Sequence, residues 1–300
     1  MAEGTKLLDS KVLARLMHLP LLARFPMEGT VSGQHKSPHR GSSVEFAEYR
    51  NYVPGDDIRR LDWRVFARTD RFYLKEFEAE TNLRCYLVLD CSGSMKFGKA
   101  GEAKCAYAKR LIATLAYLAV HQGDAVGLIC AGKKSIVGIP PRRNPAHLKL
   151  IFQTLEATQP RGETGLAPVL HDLAEEARRR ALVIVFSDFF CELEPLLSCF
   201  QHLRFQKHDL ALFHLLDPAE LDFQFERPVR FVDLESSLHL VTEPATIREA
   251  YLRQIFMFLE QIQAACLEFG VDYQRVLTDC DYEKVVADFL VQRARLAAVG

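Results

Sequence analysis

The segment Leu83–Met95 constrains the fold of this 300-residue chain more than any other part of the sequence. It is a short apolar run that ends in the pattern Asp-x-Ser-x-Ser, formed by Asp90, Ser92 and Ser94. An apolar run of this length, closed by Gly and Ser, is typical of a buried strand in a parallel sheet. Ligands of open α/β sheets bind beyond the carboxyl ends of the strands, where this pattern places three oxygen-bearing side chains. Carboxylate and hydroxyl oxygens suit a hard cation such as Mg²⁺, although the motif alone fits an ordinary polar loop equally well.

Strand and helix patterns alternate from Leu83 to the end of the chain. This alternation predicts an α/β fold, a Rossmann-like open, mostly parallel sheet with helices on both faces. We expect strands at residues 83–90, 124–130, 182–188, 209–216 and 271–277, with a short antiparallel edge strand near residues 135–139. We expect helices at about residues 101–121, 146–157, 166–179, 192–203, 245–268 and 281–297.

Two later polar residues extend the first motif. A second apolar run, residues 181–187, ends in Asp188, and a Gly-punctuated loop before a helix pattern contains Thr164. This order of residues resembles the metal-ion-dependent adhesion site of von Willebrand factor type A domains. The five positions of that site fall on Asp90, Ser92, Ser94, Thr164 and Asp188.

That resemblance implies a bound Mg²⁺, with Mn²⁺ or Ca²⁺ as alternative ions. It also implies that the Ser and Thr hydroxyls bind the ion directly, while the two Asp side chains bind directly or through water. One coordination position would stay open for a carboxylate from a partner. The alternative interpretation is a site without metal, whose hydroxyls cap neighbouring helices.

A second match precedes the first strand. Residues 50–63 read RNYVPGDDIRRLDW, and Lys75–Glu80 follow. Together with Gly33, His35 and the adjoining residues, they resemble the signature of the bacterial domain-of-unknown-function family 58, which carries a type A domain behind it. Members of that family look like partners of MoxR-type AAA+ ATPases. The resemblance therefore implies that the chain binds such an ATPase, or an acidic client protein through the metal, in chaperone-like assembly or maturation.

The sequence divides into two regions. Residues 1–80 are expected to form an N-terminal helical arm, at residues 1–27, and a small appendage that carries the family signature. Residues 81–300 are expected to form the von Willebrand factor A-like domain. Within the appendage, Tyr52, Pro54, Trp63 and Phe66 are predicted to pack against that domain.

Composition excludes several classes of protein. The formal net charge of −1 argues against a nucleic-acid binder. No apolar stretch approaches the roughly 20 residues that cross a bilayer, so we expect no membrane span and a cytoplasmic protein.

The eight cysteines form no Cys-x-x-Cys pair, and Cys85, Cys105 and Cys130 lie in apolar patterns. We therefore expect free, buried thiols in a reducing compartment.

Two classes of function remain. The first is a non-enzymatic, metal-dependent binding module in which the cation bridges the site to an acidic side chain of another protein. The second is a Mg²⁺-dependent phosphatase or other hydrolase that uses Asp90 as its nucleophile. Strand-end phosphatases have a second carboxylate two residues after the nucleophile, but this chain has Ser92 there. A serine cannot act as the acid and base at neutral pH, which favours the binding module.

Overall fold

The fold is taken from a computed structural model of the chain, which describes residues 7–24, 35–37, 45–51, 65, 73–81, 83–98, 103–133, 137–177, 179–225, 227–236 and 238–299. These residues fall into two compact units. The smaller unit lies within Pro26–Leu83, and the larger lies within Met1–Phe25 and Arg84–Gly300.

The smaller unit contains a three-stranded antiparallel sheet. Strands β1 (His35–Ser37) and β2 (Glu45–Asn51) both pair with β3 (Tyr73–Thr81), which lies between them. The four side chains predicted to pack on the larger unit, Tyr52, Pro54, Trp63 and Phe66, lie outside the described residues. Their packing stays a prediction.

A six-stranded sheet forms the centre of the larger unit and confirms the predicted fold class. Its strands are β4 (Arg84–Asp90), β5 (Ala125–Ala131), β6 (Val137–Arg142), β7 (Leu182–Ser187), β8 (Asp209–Leu216) and β11 (Asp272–Leu277). They follow the order β11-β8-β7-β4-β5-β6, and every neighbouring pair is parallel except β5 with β6. Each predicted strand is present, and β6 is the predicted antiparallel edge.

Six long helices cover the sheet on both faces. They are α2 (Lys104–His121), α3 (Pro145–Ala157), α4 (Leu166–Glu176), α5 (Leu193–Phe205), α7 (Pro244–Glu268) and α8 (Tyr282–Val299). On one face, Val183 and Val185 pack in a core with residues of α4, α5 and α7. On the other face, Phe186 stacks on Phe213, which meets Phe289 of α8 at 4.8 Å between ring centroids. Strands buried on both faces explain the unbroken apolar runs in the sequence.

The region between β8 and α7 contains three elements that the sequence pattern did not predict. A short helix, α6 (Pro218–Asp222), precedes an antiparallel pair of strands, β9 (Val229–Val232) and β10 (His239–Thr242). We call β9, β10 and the loop between them the β9–β10 hairpin. Its apolar side chains Val232, Leu238, Leu240 and Val241 are each more than half exposed. Strand β9 alternates between half-buried and exposed residues but is only four residues long, and Leu240 and Val241 of β10 are both exposed, so the usual strand signal is weak.

The N-terminal arm, described over residues 7–24, belongs to the larger unit. Helix α1 (Ser10–Leu16) buries Val12, Leu13 and Leu16, as the apolar spacing predicts. Beyond it, the side chain of Gln122 at the end of α2 accepts a hydrogen bond from the Leu21 N–H and donates one to the Leu19 carbonyl, each at 2.9 Å. The arm therefore packs on the helices of the main sheet.

The arm ends at a buried charge cluster. The Arg24 N–H donates to Asp209 Oδ2 at 2.6 Å, and Arg293 Nε of α8 donates to the Leu22 carbonyl at 2.8 Å. Arg293 also pairs with Asp209 at the start of β8, and it lies 3.6 Å from Asp272 at the start of β11. The side chain of Arg293 is fully buried. One arginine thus joins the arm, two strand starts and the last helix.

All eight cysteines are free thiols, and Cys85, Cys105 and Cys130 are buried as predicted. Among the described residues, no helix has both the length and the apolar character needed to cross a membrane.

Candidate metal centre

The site forms where the strand order reverses. From β4 the chain continues to β5 on one side, and it later returns to β7 on the other side of β4. Ligand sites in open α/β sheets lie at such a switch point, just beyond the carboxyl ends of the strands. Asp90 is the last residue of β4, and Asp188 follows β7 directly. The predicted residues therefore occupy the position that the topology favours for a ligand.

The loop after β4 turns its hydroxyls toward the Asp90 carboxylate. The Ser92 N–H donates to Asp90 Oδ1 at 2.9 Å, which closes a tight turn. A single 3₁₀ turn, Gly93–Lys96, then brings Ser94 Oγ to 2.9 Å from Ser92 Oγ. Asp90 and Ser92 are buried, while Ser94 is partly exposed.

Thr164 reaches the same point from a second loop. The two loops are joined by backbone hydrogen bonds, from Gly93 N to the Gly162 carbonyl at 2.7 Å and from Arg161 N to the Cys91 carbonyl at 2.8 Å. Thr164 Oγ1 lies 3.5 and 3.4 Å from the two carboxylate oxygens of Asp90. The same oxygen accepts a hydrogen bond from the Leu166 N–H and so caps α4. Four of the predicted residues thus present oxygen atoms within one cluster.

Asp188, the fifth predicted residue, is held in an ion pair. Its Oδ2 accepts a hydrogen bond from Lys104 Nζ at 2.6 Å, and its Oδ1 accepts one from the Phe190 N–H at 3.3 Å. Lys104 is the first residue of α2, and it also donates to Glu220 Oε1 of α6 at 2.6 Å. The Lys104 ammonium is fully buried between the two carboxylates. Because the buried Lys104 ammonium already balances its charge, Asp188 suits contact with an ion through a water molecule.

Sequence reasoning missed three residues at this site. Ser187 donates a hydrogen bond to Asp90 Oδ2 at 2.6 Å and accepts one from the Phe189 N–H at 2.8 Å. Lys104 and Glu220 form the ion-pair network around Asp188. Ser187 stands directly before the strand-end Asp and could have been found by its position. Lys104 belongs to no motif in the sequence, and Glu220 could have been noticed only as the last residue of the capping box that begins at Asp217.

Electrostatics at the site favour a cation. Burial, and then the charge of Asp188, raise the pKa of Asp90 from 3.8 to about 7, against the opposing hydrogen bonds from Ser187 and Ser92. For Lys104, burial alone would lower the pKa, but the charges of Asp188 and Glu220 outweigh it and the pKa is raised. Lys104 is therefore charged at neutral pH. Asp90 holds a proton or needs a positive charge beside it.

The donor set fits a hard divalent ion. Asp90, Ser92, Ser94 and Thr164 offer one carboxylate and three hydroxyl oxygens, without the sulfur or imidazole ligands that softer metals prefer. Cys91 lies within the loop but is buried, and its Sγ contacts the Leu89 carbonyl at 3.5 Å. The residues that would hold an ion directly are therefore the four oxygen donors, with Asp188 behind them.

His214 beneath the site gives a prediction about stability. It is buried in β8, its Nδ1 lies 2.9 Å from the Tyr273 hydroxyl, and burial lowers its pKa from 6.5 to about 3. The folded protein keeps this ring neutral. The stability that the neutral ring contributes is therefore fully present above pH 6.5, and it is lost below that pH as His214 of the unfolded chain takes up a proton. Relative to His214→Asn, the wild type should lose about 1.4 kcal/mol of unfolding free energy per pH unit between pH 6 and pH 4.

Urea unfolding at several pH values measures this difference. The control is His239→Asn, because His239 is exposed on β10 and should leave the pH dependence unchanged. If the unfolding free energies of the wild type and His214→Asn change in parallel with pH, His214 has the same protonation in the folded and unfolded states and the prediction is wrong.

Comparison with known proteins identifies relatives whose functions are unknown. The sequence model of the family described as "Protein of unknown function DUF58" matches residues 48–257. The uncharacterized protein Rv1480 of Mycobacterium tuberculosis is 28% identical over 300 residues, covering 97% of this chain and 93% of the relative. The uncharacterized protein YeaD of Bacillus subtilis is 29% identical over 128 residues, covering 43% of this chain and 30% of the relative.

Two solved structures resemble the chain in fold. The conserved hypothetical protein BatB from Bacteroides thetaiotaomicron has a TM-score of 0.47 at 16% identity, covering 71% of this chain and 100% of that one. The SpRpn10 VWA domain has a TM-score of 0.40 at 12% identity, covering 72% of this chain and 97% of that one.

Proposed function

The chain belongs to the family of proteins of unknown function DUF58, and on this premise we propose that it is a non-enzymatic, Mg²⁺-dependent protein-binding module. The observation that supports the proposal most is the cluster of oxygen atoms from Asp90, Ser92, Ser94 and Thr164 at the switch point of the sheet. Asp90 is the only carboxylate among these four direct donors. A divalent cation bound there would keep net positive charge and attract a carboxylate of a partner protein.

The surroundings of the site also support protein binding. The β9–β10 hairpin lies beside the loop after β4, because Leu234 in the hairpin loop contacts Gly93. Four apolar side chains of the hairpin are more than half exposed, and they are Val232, Leu238, Leu240 and Val241. Neighbouring apolar side chains on a surface commonly mark an interaction site. A partner that inserts a carboxylate at the metal would lie beside the hairpin that carries these exposed side chains.

The geometry gives little support to the hydrolase alternative. A nucleophilic Asp90 would have to reach a substrate, but its side chain is buried and both carboxylate oxygens accept hydrogen bonds, from Ser92 and Ser187. The Lys104 ammonium, which pairs with Asp188, is itself buried between Asp188 and Glu220. The arrangement suits binding of an ion better than attack on a substrate.

The partner we propose is a MoxR-type AAA+ ATPase, or its acidic client, in chaperone-like assembly or maturation within the cytoplasm. This part of the proposal rests on the resemblance of residues 50–63 to the family signature. Binding at the metal requires a carboxylate on the surface of the partner. A complex of this kind depends on the metal and is lost when the metal is removed.

A pull-down with a MoxR-type ATPase from the same source tests the proposal. Association should be lost with EDTA and should weaken at least about tenfold in Thr164→Val, since loss of a metal-site group typically costs that much affinity. Thr164→Ser is the matched control, because it keeps the hydroxyl that caps α4 and faces Asp90. Removal of the cap should lower stability by only about 1 kcal/mol, so Thr164→Val stays folded. Association that resists both EDTA and Thr164→Val would remove the metal from the mechanism.

A further inference from the structure

The loop of the β9–β10 hairpin lies directly against the proposed metal loop. A Cβ atom on Gly93 would be 2.6 Å from the Leu234 carbonyl carbon and 3.2 Å from the Glu235 nitrogen. No side chain fits in that space, so glycine is required between Ser92 and Ser94. The hairpin loop therefore closes over the turn that presents two of the four oxygen donors.

Glu235 in this loop has an unsatisfied carboxylate oxygen. Its Oε1 is buried and has no hydrogen-bond partner within the described part of the chain. A buried acceptor without a partner costs free energy, and the cost is greater for a charged group. The backbone nitrogen of Glu235 adjoins Gly93, between Ser92 and Ser94, so Glu235 lies beside the loop that carries these two oxygen donors.

The loop that carries Glu235 is held in one conformation. The Glu235 N–H donates to Asp233 Oδ1 at 2.9 Å, and the Ser236 hydroxyl donates to the other oxygen of the same carboxylate. The Leu238 N–H donates to Ser236 Oγ at 3.2 Å, and the Asp233 N–H donates to the Leu238 carbonyl at 3.0 Å. The loop needs nothing from the Glu235 side chain to keep its shape. The glutamate side chain is therefore available for another role.

We propose that Glu235 is the chain's own carboxylate ligand for the cation at Asp90, Ser92, Ser94 and Thr164. In this arrangement Glu235 takes the coordination position that a partner carboxylate would otherwise occupy, and the hairpin loop covers the site. A partner then binds by displacing Glu235 and moving the loop aside. The inference rests on the proposed metal site and adds the means by which that site is kept closed.

Titration with Mn²⁺ alone tests the inference without any partner. Glu235→Gln should bind Mn²⁺ at least about tenfold more weakly than the wild type, because a ligand and its negative charge are both removed. The matched control is Glu243→Gln, which removes the same charge from an exposed position just after β10 and should bind like the wild type. Equal affinity in the wild type and Glu235→Gln would overturn the inference.

Hydrogen exchange gives a second measurement that needs no variant. In the wild type, Mg²⁺ should slow exchange of the backbone amides in residues 233–238, because the ion ties the loop to the site. Mg²⁺ binding without slower exchange in that loop would overturn the inference.

Asp90→Asn separates the two proposals. If Mn²⁺ binds equally to the wild type and Asp90→Asn, the metal site and the role of Glu235 both fail. If Asp90→Asn abolishes binding while Glu235→Gln leaves it unchanged, only the role of Glu235 fails.

Discussion

Replacement of Lys104 by methionine is expected to lower the free energy of unfolding by about 3–5 kcal/mol, the usual cost of removing one partner from a buried ion pair. Lys104 Nζ lies 2.6 Å from both Asp188 and Glu220, and its side chain has no exposed surface. Without it, two buried carboxylates face each other with no cation between them. The methionine fills a similar volume, so the loss measures charge rather than a cavity.

Two controls separate the ion pair from other effects of the substitution. Lys149→Met changes an exposed lysine of α3 and should alter stability by no more than about 0.5 kcal/mol. Combining Lys104→Met with Glu220→Gln should recover part of the loss, because the glutamine keeps the hydrogen bond from the Asp217 N–H while removing one negative charge. Chemical denaturation measures all four proteins. A double variant less stable than Lys104→Met would contradict the electrostatic explanation.

Arg293→Met is expected to have a comparable effect, a loss of about 3–5 kcal/mol. The substitution leaves Asp209 and Asp272 buried without their guanidinium partner and removes the hydrogen bond to the Leu22 carbonyl. Because that bond holds the N-terminal arm, the backbone amides of residues 19–24 should also exchange faster with solvent. Arg295→Met, two residues away and exposed, should change neither quantity. Normal exchange in the arm of Arg293→Met would mean that Gln122 and Asp209 hold the arm without Arg293.

The sequence allowed the sheet and its helices to be predicted because the signals are local. Strands such as β7 and β8 are buried on both faces, so they appear as unbroken apolar runs between turn residues. Asp90 and Asp188 could be placed at one edge because parallel strands end at the same side of the sheet. Neither inference depends on contacts between distant segments.

Features that depend on distant contacts were not predicted. Lys104 is buried because two carboxylates from separate segments meet its ammonium, and nothing near it in the sequence indicates this. The β9–β10 hairpin was missed because its strands are only four residues long and most of its apolar residues are exposed. The position of Glu235 beside the metal loop follows from the close approach of Leu234 to Gly93, and only the folded chain shows this contact.

The docking of the N-terminal arm has a consequence for how the protein is made. The groups that hold residues 19–24 are Gln122, Asp209 and Arg293, and they are synthesised roughly 100 to 270 residues after them. A ribosome adds about 5–20 residues per second, so many seconds pass between the synthesis of residues 19–24 and that of Arg293. The smaller unit within Pro26–Leu83 emerges from the ribosome during that interval. The larger unit is therefore completed only when α8 has been synthesised, and a chain that stops before Arg293 lacks one of the groups that hold residues 19–24.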